Sequence, residues 1–271
     1  MPSPVRAALS KVPEITAAFW ITKVLTTGMG ESTSDYLVLT LGPAIAIAIG
    51  AVVFAAALIL QFRANRYIAG VYWFAVVMVS VFGTMAADVL HVGLGIPYLF
   101  STIFFAVVLA LIFVVWYRTE RTLSIHSITT RRRELFYWAT VLTTFALGTA
   151  SGDFTATSLH LGFLGSGIMF AVIIAVPAVA WWKLRLNAVF AFWFAYVTTR
   201  PLGASFADWM AFPPSRGGLD WGTGPVSLAL SAVILAFVIY LGLSRRVPVR
   251  GLGLAELPNR DDAGRTESPR Q

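Results

Sequence analysis

Four aspartates, Asp35, Asp88, Asp153 and Asp208, each stand five residues after a glycine and fifteen after a tryptophan. The pattern reads Trp20–Gly30–Asp35, Trp73–Gly83–Asp88, Trp138–Gly148–Asp153 and Trp193–Gly203–Asp208, with no change of spacing. Every copy lies in an apolar stretch long enough to cross a bilayer, where one carboxylate costs about 2.5–3.5 kcal/mol to insert. Four carboxylates drawn to about 10 Å would repel by roughly 10 kcal/mol in total at an effective dielectric of 20. Cations, protons or basic side chains must neutralise them, which points to a shared cation-binding or translocation site.

Neighbouring residues extend that chemistry. Glu31 adds a fifth acid beside Gly30, and His91 follows Asp88 by three residues, on the same face of a continuing helix. A carboxylate–imidazole pair suits a first-row divalent metal, whereas carboxylates alone suit protons, sodium or an organic cation. His160, in the outer connection of the third copy, could join the site. Lys23 and Arg200 break the fourfold pattern, three and seven residues after their tryptophans. They read as a tethered counter-ion or gate, or as partners in a fixed ion pair with Glu31 or an aspartate. Thr26, Thr144 and Thr199 share one repeat position, where the second copy has Val79.

The elements that must position these residues follow from composition. Of 271 residues 58% are hydrophobic and 12% charged, and the apolar residues come in blocks. This describes an integral membrane protein. The net charge of +7 sits in short connections between blocks, where it sets topology and does not indicate nucleic acid. Without cysteine there is no disulfide, thiolate metal site, iron–sulfur cluster or catalytic thiol, and no cofactor is expected.

At about 1.5 Å per residue a span needs roughly 20 residues. Odd helices are expected near 14–37, 67–91, 133–157 and 187–211, and even helices near 43–62, 97–117, 162–182 and 225–244. The two-helix repeats then cover 14–62, 67–117, 133–182 and 187–244. An N-terminus (1–13), a basic loop (118–132) and a disordered tail (247–271) complete the chain. The connections on one side carry Arg63, Arg66, Arg118, Arg121, Arg131, Arg132, Arg133, Lys183 and Arg185, while those opposite carry only Arg216. Both termini are therefore expected in the cytoplasm. All four repeats cross in the same sense, as parallel repeats about the membrane normal. The expected fold is all-α, with eight transmembrane helices in pseudo-fourfold arrangement.

The even spans contain no Asp, Glu, Lys, Arg or His, so they should form an outer, lipid-facing ring around the odd helices. The aspartates fall in the last turn of each odd helix, where the dipole disfavours an anion. Gly30, Gly83, Gly148 and Gly203 read as sites of close helix packing. Trp20, Trp73, Trp138 and Trp193 read as repeat packing or interfacial anchors.

The tandem repeats, with Lys11-Val12-Pro13-Glu14 before Phe19-Trp20, resemble a bacterial repeat family known only as a domain of unknown function. Its members are described as uncharacterised membrane-anchored proteins. The resemblance implies a bacterial inner-membrane location and supplies no substrate. Repeat two departs most, with Thr84-Met85-Ala86-Ala87 where repeat one has Glu31-Ser32-Thr33-Ser34. The leading expectation is a cation transporter, proton-coupled or moving a divalent metal, with a channel as a close variant. The rival is a membrane sensor or scaffold. An enzyme is not expected, since no Ser/His/Asp order, zincin or haem-ligand motif is present. Expected partners are the bilayer and an inorganic cation or proton.

Overall fold

In the computed structural model the described residues are 10–184 and 187–244. The expected tail, 247–271, lies outside them. Eight long helices alternate along the chain: α1 (Ala17–Leu41), α2 (Pro43–Arg63), α3 (Ala69–Asp88), α4 (Tyr98–Glu120), α5 (Arg131–Asp153), α6 (Gly162–Leu184), α7 (Ala188–Ala211) and α8 (Thr223–Ser244). Helix α3 runs into a π-helical turn over Val89–Gly93, and α5 into another over Phe154–Ser158.

Local chemistry starts these helices. Thr16 accepts from Phe19 N at 3.2 Å and Thr130 from Arg133 N at 3.3 Å. Asn187 accepts from Val189 N at 2.9 Å. Each occupies orphan amide groups at the first turn of an odd helix. Pro43 opens α2, where its missing N–H costs nothing.

The odd helices close into a ring, α1 on α3, α3 on α5, α5 on α7 and α7 back on α1. Each even helix packs chiefly on the odd helix of the following repeat: α2 on α3, α4 on α5, α6 on α7, and α8 on α1. The ring is thus cyclic even where the chain is not continuous.

Burial separates the two sets. Within their apolar stretches only 11–17% of α2, α4 and α8 is buried, against 56% for the helix from Ala69 to Gly93. Those four helices are long and apolar enough to cross a membrane. Helices α1, α5 and α7 are of similar length but carry the interior hydroxyls and charges. Thr26, Thr144 and Thr199 donate to the carbonyls of Lys23, Val141 and Tyr196, at 2.8, 2.6 and 2.7 Å. This i−3 bond lets a hydroxyl face the interior without an unmet polar group.

At the N-terminal end of the odd helices lies an aromatic collar. The residue before each repeat tryptophan is also aromatic, and its ring meets the tryptophan of the next repeat. Phe19 lies 5.8 Å from Trp73, Tyr72 5.7 Å from Trp138, Tyr137 6.2 Å from Trp193, and Phe192 5.6 Å from Trp20. Trp73, Trp138 and Trp193 are buried and Trp20 half-buried. The tryptophans therefore pack between repeats instead of standing outward as interfacial anchors.

A segment before α1 seals this end. Val12 enters the core, Lys11 N donates to Ile128 O and Tyr67 N to Ser10 O. The Lys11 ammonium, buried, donates to Glu134 Oε2 at 2.6 Å, and Gln61 Nε2 donates to Glu134 Oε1 at 3.0 Å. Removing one partner of such a pair strands the other charge, which typically costs about 3–5 kcal/mol. Lys11→Met should lower stability by about that amount in denaturant titration of the detergent-solubilised protein. Lys11→Met with Glu134→Leu should recover most of the loss.

Candidate functional site

The glycines govern how closely the ring helices approach. A methyl group on Gly30 would sit 1.8 Å from Ser80 Oγ, on Gly83 2.7 Å from Phe145 Cβ, on Gly148 2.1 Å from Arg200 Cγ, and on Gly203 1.8 Å from Thr27 Oγ1. In every case the neighbour stands three residues before the glycine of the next repeat. Each contact lets the odd helices meet nearly backbone to side-chain root, which draws the following residues to the axis.

Those following residues are Glu31, Thr84, Thr149 and Ala204. Arg200, from the fourth repeat and fully buried, reaches the first three with a single guanidinium nitrogen. It donates to Glu31 Oε2 and Thr84 Oγ1 in short contacts, and to Thr149 Oγ1 at 2.7 Å. Only a position at the centre of the ring allows one nitrogen to touch three other repeats. Arg200 therefore occupies the axis, as one member of a fixed pair with Glu31. Its Nε and other terminal nitrogen have no partner among the described residues.

Lys23 behaves differently. Its ammonium is buried without a hydrogen-bond or salt-bridge partner among the described residues, 4.1 Å from the Phe145 ring centroid and 4.4 Å from that of Tyr196. Aromatic faces from repeats three and four hold it by cation–π attraction. Phe145 also lies 5.5 Å from the Arg200 guanidinium carbon, so its ring stands beside both cations.

Beyond Arg200 the aspartates do not form one symmetrical ring. They gather in two groups, Asp88–His91–Asp153 and Glu31–Asp35–Asp208, and within each group the donor atoms lie within 4.8 Å of one another. In the first, His91 Nε2 stands 3.0 Å from Asp88 Oδ1 and 3.4 Å from Asp153 Oδ2. The π-helical turn after Asp88 carries His91, whose ring rests 4.4 Å from that of Tyr98. Such turns recur at functional sites because they re-aim a side chain. In the second group Asp208 is buried and its Oδ1 has no hydrogen-bond partner among the described residues. His160 is exposed, in a left-handed backbone conformation, and belongs to neither group.

Two features escaped the reading of the sequence. Phe19, Tyr72, Tyr137 and Phe192 were visible as an aromatic–Trp pair in every repeat, but only the ring shows that each pair bridges to the next. Glu134 stands directly after three arginines, and nothing local signals that it turns inward to Lys11.

A family model described as a Repeat of Unknown Function (DUF347) matches four times, over residues 18–67, 71–122, 136–187 and 191–246. No curated protein and no solved structure matches the chain.

Proposed function

The chain belongs to that repeat family, whose description supplies no activity, and from the site itself we propose a membrane protein that transports cations through its repeat aspartates. In this reading all eight helices span the bacterial inner membrane. The collar and both termini face the cytoplasm, and the aspartate end faces outward. The poorly buried even helices and the basic residues at the collar end support that placement.

One observation carries the transport reading. Five carboxylates, Glu31, Asp35, Asp88, Asp153 and Asp208, converge at one end of the ring. Among the described residues the Lys and Arg side chains buried along the axis are Arg200 and Lys23. Counted as fully ionised, the five carboxylates outnumber these two cations by three charges, or by two when His91 carries a proton, and bound cations or protons neutralise the excess.

The form of the axis favours a carrier over an open channel. Arg200 lies across it, and Phe145, Lys23 and the collar fill it below. Passage then requires Arg200 to leave Glu31, so an incoming cation would exchange with the guanidinium. The sensor or scaffold reading assigns the carboxylates no turnover.

Reconstitution into liposomes tests this. The wild type should move a monovalent or divalent cation, or protons, down an imposed gradient, and Asp88→Asn or Asp208→Asn should each lower the flux at least tenfold while the protein still elutes as a folded species. No flux of Na⁺, K⁺, Mg²⁺, Mn²⁺, Zn²⁺ or H⁺ from the wild type would favour the scaffold.

A further inference from the structure

We infer that the acidic end holds two unlike sites, and that Asp88, His91 and Asp153 form the one that selects a first-row divalent transition-metal ion. The inference rests on the cation reading above and gives it a substrate class.

Asymmetry between the two groups is the first argument. Glu31–Asp35–Asp208 already has a resident cation, because Arg200 pairs with Glu31. Asp88 and Asp153 have no lysine or arginine within salt-bridge reach among the described residues, and their salt-bridge partner is His91. An incoming cation meets no tethered competitor there.

Donor geometry is the second. Bound at about 2.1 Å around one ion, neighbouring donors lie about 3.0 Å apart in an octahedron and about 3.4 Å in a tetrahedron. The separations from His91 Nε2 are 3.0 Å to Asp88 and 3.4 Å to Asp153. Two helices from different repeats thus set the nitrogen at spacings from each oxygen that a single small ion can bridge, with all three donors within 4.8 Å of one another.

Donor chemistry is the third. An imidazole beside carboxylates favours manganese to zinc over calcium, magnesium and sodium, which prefer oxygen alone. The Asp88 and Asp153 side chains keep 27% and 21% exposure, so water can complete the coordination and the ion can enter. His91 is seated between Tyr98 and the carboxylates, on a π-helical turn with no counterpart after Asp35 or Asp208. The same turn follows Asp153, so both helices of this pair share the local geometry.

The rival account is a purely structural bridge in which a charged imidazole ties the two aspartates together. Substitutions separate them. Purified full-length protein in detergent would be titrated with Co²⁺, followed by its visible absorption, and with Zn²⁺, Mn²⁺, Ca²⁺ and Na⁺ by calorimetry. The wild type should bind one transition-metal ion per chain, at least thirtyfold more tightly than Ca²⁺. His91→Gln should erase that preference. Asp153→His should keep or raise it, since a second imidazole improves a metal site yet breaks an aspartate–imidazolium–aspartate bridge. A wild type that binds Ca²⁺ or Na⁺ best, or a His91→Gln variant with unchanged preference, would overturn this inference and leave cation transport standing. A wild type that binds none of these ions would overturn this inference, and an absence of every cation and proton flux in liposomes would overturn the transport reading as well.

Discussion

Replacing Arg200 with methionine should destabilise the protein more than any other single substitution on the axis. The guanidinium holds Glu31, Thr84 and Thr149 together from the fourth repeat. Without it a buried carboxylate loses its only cation and two hydroxyls lose a donor. Breaking such a pair costs about 3–5 kcal/mol. For a chain of this size that corresponds to a fall of roughly 6–20 °C in thermal midpoint. Scanning fluorimetry in detergent checks it. The double variant Arg200→Met, Glu31→Leu should regain much of the loss, because no orphan charge is left. A single variant within 2 °C of wild type would mean that Glu31 is neutral, or paired elsewhere.

Alanine at the four repeat glycines should come next, with a ranking set by what each methyl would strike. Gly30, Gly148 and Gly203 are the severe cases. The new carbon would lie about 2 Å from a Ser80, Arg200 or Thr27 side-chain atom, and 2.9 Å from the Ser80 backbone or Val24 carbonyl at Gly30 and Gly203. Such overpacking typically costs about 1–3 kcal/mol and at times more. Gly83 should be milder, since after Phe145 Cβ at 2.7 Å its next neighbour is 3.6 Å away. Gly70→Ala meets nothing within 4 Å and should be neutral or slightly stabilising. Thermal midpoints of the five variants measure the order. Equal, small effects at Gly30 and Gly70 would refute the inter-repeat contact.

Much of the architecture was legible because long apolar helices announce themselves by length and by where charge is missing. Pro43 and the glycine–proline punctuation marked helix starts, and the absence of charge from the middle of the even helices foretold their outward position. For Arg200 the sequence left open a gate or a fixed pair with Glu31 or an aspartate, and the fold shows Glu31 as the partner. Lys23 was harder. A sequence shows that a lysine is buried but not that two rings, from α5 and α7, will face it. The division of the aspartates into two groups was also out of reach. The π-helical turns after Asp88 and Asp153, the first of which carries His91, have a single extra residue per turn that leaves no composition signature. The collar was half legible: the aromatic pairs recur in the sequence, whereas their partner choice is set by how the ring closes.

The handshake between each repeat and its successor, closed by repeat four upon repeat one, makes chain order secondary to ring order. Helix α8 packs on α1 as α2 packs on α3, so the last helix closes the ring upon the first. A circularly permuted chain beginning at α3 should assemble the same ring. So, in principle, should four separate copies of one two-helix unit. Such a tetramer would have four identical interfaces, and any histidine placed at one would appear at all. Fusion into a single polypeptide removes that constraint. It lets one interface acquire an imidazole and another an arginine, so that a symmetrical scaffold presents different chemistry on different sides of its axis.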